Sequence, residues 1–195
     1  MLFRSTHLSK RALIVVGAIL VAAAPVKGID HALPDAARYE IIAGFLYNFC
    51  KLTTWPDTAV PKRGEAWAVG VVGENPFGAA LAKTLAMRTF EERPFDVLYF
   101  HTARSIKSCH VLYVAHCSPA ELAAALEAVR GEPVLTVGEN DDFTARGGMI
   151  RLFTDDSGRV RFEINRAATR QARLGMSAKL LQVAVIYEPP VKETK

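Results

Sequence analysis

The chain has 195 residues, with 24 lysines and arginines against 20 aspartates and glutamates. Four of the basic residues (Arg4, Lys10, Arg11, Lys27) and no acidic one lie in the first 28 positions, so the other 167 balance 20 against 20. The basic excess belongs to that leader, which removes nucleic acid as an indicated partner and leaves one ordinary domain with room for a sizeable core.

The leader is a different kind of sequence from the rest. A positive region is followed by Ala12–Ala24, an uninterrupted apolar run. Such a run suits a signal-peptide core and is short for a membrane span, which needs ~20 residues. Val26 and Gly28 put small residues at −3 and −1 of a cleavage site after Gly28. The alternative is an uncleaved anchor. No cysteine closely follows the run, so nothing points to a lipoprotein. The organisation expected is a signal peptide over 1–28, one domain over 29–188 and a flexible tail over 189–195, with the mature protein exported to an oxidising compartment.

Tyr39–Pro56 is the first structural element. Ile42, Phe45, Leu46, Phe49 and Leu52 recur at helical spacing and form an aromatic stripe on which a sheet can pack. Pro34 and Asp35 supply a start signal, and Trp55-Pro56 a stop. Tyr47 and Asn48 flank the stripe with polar tips. After a polar loop, Trp67–Val72 reads as a strand, Gly73–Pro76 as a turn and Pro76–Met87 as a helix. Arg93–Phe100 contains a second strand and His110–His116 is a third. Ser118-Pro119 caps a helix running to Arg130, ended by Gly131, and Val134–Val137 is a fourth strand. Strands alternating with helices predict an α/β fold with a mainly parallel sheet flanked by helices.

The last third changes pattern. Met149–Thr154 and Arg159–Ile164 flank Asp155-Asp156-Ser157-Gly158, a C-terminal antiparallel hairpin. In its second strand Val160, Phe162 and Ile164 alternate with Arg159, Arg161 and Glu163, which predicts one wet face. Asn165 caps a helix to Leu174, and Ser177 opens a final apolar segment closed by Pro189-Pro190.

Few residues fall into a chemical pattern. VVGENPFGAAL follows a strand but lacks the glycines of a dinucleotide fingerprint and the lysine of a P-loop. His101, Cys109, His110, His116 and Cys117 lack metal-ligand spacing: His110 and His116 lie about 20 Å apart along a strand. No GxSxG elbow is present, and Cys117 is too close to His116 in sequence for a typical nucleophile–base pair. No cofactor or metal is expected. Cys109 and Cys117 flank eight residues of strand spanning roughly 26 Å, whereas a disulfide needs Cα atoms within ~7 Å. They should not pair. Whether Cys50 pairs with either stays open, and at least one thiol is left over.

FLYNFCKLTTWP, GVVGENPFGAAL, CHVLYVAH, LTVGENDDFTARGGMIRL, GRVRFEIN and LGMSAKLLQVA occur in the order found in YfiR-like periplasmic regulators (DUF4154), which the chain resembles from Ala36 to Ala184. The resemblance implies an α/β sandwich, a homodimer and no enzymatic activity. It also implies binding to the periplasmic part of an inner-membrane diguanylate cyclase, which is held inactive, with release by an OmpA-like outer-membrane lipoprotein. A disulfide found in the family needs a cysteine in the strand matching Trp67–Gly73, and this chain has none there. The expected role is thus a non-catalytic repressor controlling cyclic-di-GMP signalling. The alternative is a small-molecule sensor for another signalling or transport system, with its ligand at the carboxyl ends of the parallel strands. A hydrolase using Glu163 or a thiol is a third reading. Expected partner contacts are Tyr47, Asn48 and Trp55 at the end of the first helix, and Glu163, Leu180 and Leu181 in the last third. There a carboxylate beside an apolar patch can orient a partner while the patch supplies affinity.

Overall fold

A computed structural model describes residues 35–189. The expected signal peptide and residues 190–195 of the expected tail lie outside the described residues.

Helix α1 (Asp35–Lys51) buries Ile42, Ala43, Leu46, Phe49 and Cys50 along one side. Asp35 in its first turn and Lys51 in its last complement the helix dipole. Phe45 and Phe49 stack at 5.6 Å, and both meet Phe162 edge-on, at 5.6 and 5.0 Å. The helix ends before Trp55-Pro56 because Thr53–Thr54 (β1) leaves it to pair antiparallel with Gly175–Met176 (β8). The Thr53 hydroxyl donates back to the Phe49 carbonyl at 2.7 Å, which helps end the helix.

The main sheet contains β2 (Trp67–Val72), β3 (Phe95–Phe100), β4 (Val111–Val114), β5 (Leu135–Gly138), β6 (Ile150–Thr154), β7 (Val160–Ile164) and β9 (Val185–Ile186). Their order is β3-β2-β4-β5-β6-β7-β9. β2 to β6 run parallel, β7 returns antiparallel through the hairpin, and β9 pairs parallel with β7. The fold is therefore α/β with a mixed, largely parallel sheet, as expected.

The sheet separates two apolar cores. On one face α1, α2 (Ala80–Ala86), α4 (Arg166–Gln171) and α5 (Ala178–Val183) cover Trp67, Val69, Val71, Tyr113, Val137 and Ile150. On the other, Leu122 and Ala125 of α3 (Pro119–Ala128) pack with Val72, Phe100, Leu112, Val114 and Phe143. Burial on both faces is why the central parallel strands are apolar apart from Thr136 of β5, whose hydroxyl accepts from the Met149 N–H.

Several elements are shorter than expected. The chain holds a turn at Asn75–Gly78 before α2, because Asn75 accepts from the Phe77 N–H and donates to the Gly78 carbonyl, both at 3.0 Å. β4 is four residues long, yet the His110 N–H reaches the Ala68 carbonyl and the Ala115 N–H reaches Val72, so the extended path continues past both ends. Cys109 and Cys117 do not pair, and Cys50 is also a free thiol. The final apolar segment divides into α5 and β9. Asn165 caps α4 by accepting from the Ala168 N–H at 3.0 Å.

The link from β5 to β6 has no helix. Phe143 fills the space instead and is fully buried. A side chain at Gly138 would come within 2.4 Å of its ring, and one at Gly148 within 2.2 Å. These two glycines are thus required by the close approach of one aromatic ring.

Candidate functional site

β2 steps to β3 on one side, and the chain then crosses back to β4 on the other. The carboxyl ends of β2 and β4 therefore form a topological switch point, where open α/β sheets bind ligands. A cavity of about 420 Å³ lies there, between α3 and the 3-10 turn Ala103–Ser105. Val72, Val114, Ala125 and Cys117 contribute to its wall, with His101 and Arg104 among its polar lining. Cys117 is half-buried, and its main-chain carbonyl accepts from Asn140 Nδ2 at 2.8 Å. Burial, followed by the Glu121 charge, pushes its thiol pKa up, away from nucleophilic character. Glu121 also lines the cavity but is occupied as a cap. Its carboxylate accepts from the Ser118 N–H at 2.9 Å and hydroxyl at 2.7 Å, and these bonds lower its pKa.

A second polar group lies just beyond β5, on the α1 face. The Glu139 side chain is only 8% exposed and forms an ion pair with Arg38. It also accepts from the Tyr39 hydroxyl at 3.0 Å and from the Tyr113 hydroxyl. Burial opposes the Arg38 charge, but Glu139 outweighs it and raises the Arg38 pKa. Burial, and then the Glu139 charge, raise the phenol pKa of Tyr113. Three donors on one carboxylate make this a clasp between the first turns of α1 and the end of the sheet. Sequence reasoning missed it because its members are up to 101 residues apart. The available signal was an acidic residue directly after a buried parallel strand.

The expected contact residues divide between surface and interior. Asn48 is exposed. Tyr47 is half-buried, donates to the Thr89 carbonyl at 3.3 Å and carries the Arg88 guanidinium 4.5 Å from its ring centre. Trp55 sits in the core: its indole N–H donates to the Cys50 carbonyl at 3.0 Å, and its ring packs on Trp67 at 5.3 Å. Leu180 is likewise core, because the Ser177-capped turn of α5 directs it into the main cluster. Leu181, next to it, is half-buried against that cluster.

Glu163 lies on the face of β7 that Arg161 exposes to water, but is itself mostly covered. Its side chain is 15% exposed, accepts from the Thr144 hydroxyl at 2.5 Å and pairs with Arg151 at 3.3 Å. The loop after β5 covers this side of β7, supplying Thr144, whose carbonyl also accepts from Asn165 Nδ2 at 2.9 Å. The alternation of β7 therefore separates an apolar face from a polar one that is exposed at Arg161 and covered only at Glu163.

Among the described residues, no group of three or more His, Cys, Asp or Glu is placed to hold a metal ion. Cys109 is buried, with its thiol pushed up to about 12, and burial raises Cys50 further. These features define an α/β domain whose polar clusters tie elements together and whose carboxyl edge holds an apolar cavity. The YfiR/HmsC-like family (DUF4154) matches residues 39–185, most of the chain, and the protein belongs to that family. No curated protein matches the chain. Membership is consistent with a periplasmic regulatory role and with a regulator-type domain rather than an enzyme.

Proposed function

We propose that the protein is a non-catalytic periplasmic regulator that binds and represses an inner-membrane diguanylate cyclase, so that its release raises cyclic-di-GMP. The observation that carries this reading is the family match over residues 39–185. The polar chemistry supports it. Glu139 is held by Arg38 and two tyrosines, Glu163 by Thr144 and Arg151, and Cys50 and Cys109 are buried thiols. Residues 1–28 serve as the export signal, and an OmpA-like outer-membrane lipoprotein and a second copy of the chain complete the set of partners.

The proposed contacts fall on two faces: Tyr47, Asn48 and Leu181 on the α1 side, with Trp55 and Leu180 beneath them, and the accessible edge of Glu163 on the other. Pull-down of the mature domain from membranes, with identification of the captured protein, tests the reading. A co-purified cyclase whose product falls when the domain is added is the expected result. Capture of a transporter alone would replace this reading. Glu163→Gln keeps an acceptor for Thr144 and removes the charge, so it should weaken repression with a small change in melting temperature. Mass spectrometry should find the mature N-terminus after Gly28, and a chain beginning at Met1 would remove the export argument.

A further inference from the structure

We propose that the cavity between α3 and the Ala103–Ser105 turn binds a small carboxylate with an apolar body. Its volume of about 420 Å³ is within the ordinary range for ligand sites, on the order of 300–1,000 Å³. It lies at the switch point of the sheet, and Val72, Val114, Ala103, Ala124 and Ala125 give it aliphatic walls. Such walls accept an alkyl or flat ring body and reject a sugar or a nucleotide, whose hydroxyls would lose water without gaining partners.

Charges of both signs line the cavity, and they differ in how they are held. Glu121 lines it, but its carboxylate is bonded to the backbone and side chain of Ser118. Arg104 lines it too, and among the described residues it makes no ion pair and no hydrogen bond. An unpaired guanidinium beside an apolar cavity matches a carboxylate, which it can hold through two parallel N–H bonds. His101, exposed on the same lining, offers a further donor. The occupant would brace α3 against the loop after β3. The binding site stands on the cavity itself; a role for its occupant as the signal that modulates repression rests on the regulatory reading above.

Cys117 provides the assay. It is the half-buried thiol on the cavity wall, while Cys50 and Cys109 are buried elsewhere. The purified exported protein is treated with N-ethylmaleimide, with and without octanoate, and alkylation of each cysteine is followed by peptide mass spectrometry. Octanoate should slow Cys117 alkylation at least fivefold, and octylamine should not. Arg104→Glu should abolish protection, read as the ratio of alkylation rates with and without octanoate in the same variant. Ala124→Trp, at an exposed helix position, should fill the cavity mouth and remove octanoate binding measured by calorimetry. Equal protection by octylamine would overturn the charge argument. Absence of both protection and calorimetric binding in the folded wild-type protein would overturn the site. Cyclase repression measured with and without octanoate is a separate arm: a protein that binds octanoate but represses no cyclase keeps the site and loses the regulatory reading.

Discussion

Replacing Glu139 by glutamine tests the clasp between α1 and the sheet. The substitution keeps the shape and one acceptor oxygen but removes the charge that Arg38, Tyr39 and Tyr113 share. A hydrogen bond to a charged acceptor contributes about 1.5–3 kcal/mol. The Tyr113 bond should count nearly in full, because Tyr113 is fully buried. The Tyr39 and Arg38 contributions are discounted, because both side chains are only partly buried and water replaces some of what they lose. The net cost is then roughly 2–3 kcal/mol, which for a domain of this size lowers the melting temperature by roughly 4–12 °C. Urea unfolding should show a lower midpoint at constant slope. A cycle combining Glu139→Gln with Arg38→Met should give a coupling of about 1–2 kcal/mol. Stability of Glu139→Gln within ~0.5 kcal/mol of wild type, the range of ordinary surface changes, would refute the reasoning.

Other outcomes follow from single residues. His110 Nδ1 accepts from the Ala68 N–H at 2.9 Å, and burial lowers its pKa, so the unfolded chain binds the proton more readily. The stability this contributes is complete above pH ~6.5 and falls as pH drops below it, and urea midpoints between pH 7.5 and 5 should show a smaller decline in His110→Asn. Tyr113 has the opposite sign: its raised pKa keeps stability complete below pH ~10 and loses it as pH rises further, a loss that Tyr113→Phe should remove in the same titration carried to alkaline pH. Leu180→Ala should cost about 2–5 kcal/mol of stability by thermal melting. Leu181→Ala should cost ~1 kcal/mol of stability but 1–3 kcal/mol of partner affinity, roughly, by titration against the captured partner.

The elements whose signals are local were legible in the sequence. The α1 stripe, the strand–helix alternation, the Ser118 and Asn165 caps and the Asp155–Gly158 hairpin each lie within a few residues, and the chain adopts them. Asn75 shortened α2 through a side-chain turn, a detail that apolar spacing does not encode. Glu163 shows the limit more sharply. Alternation along β7 separates two faces, and Arg161 on the polar one is exposed as expected, but Glu163 is covered by Thr144 and Arg151, which another loop and another strand bring over it. Glu139 needed still more distant information, since Arg38, Tyr39 and Tyr113 meet it only once α1 lies on the finished sheet. The cavity was accessible as a location, because the carboxyl ends of parallel strands are a general binding place, but its size and the free Arg104 depend on the path of the Ala103–Ser105 turn.

The pairing of β1 with β8 bears on when the chain can fold. Thr53 meets Met176 and Thr54 meets Gly175, and higher on the same helix Phe45 and Phe49 rest on Phe162. The first helix thus completes its packing against segments made last, across loops of more than a hundred residues whose closure is slow. Until the segment bearing Phe162 has been made, α1 can pack on α2 while Phe45 and Phe49 still lack their aromatic partner. The late closure therefore leaves that aromatic strip open to other chains longer than the rest of the helix.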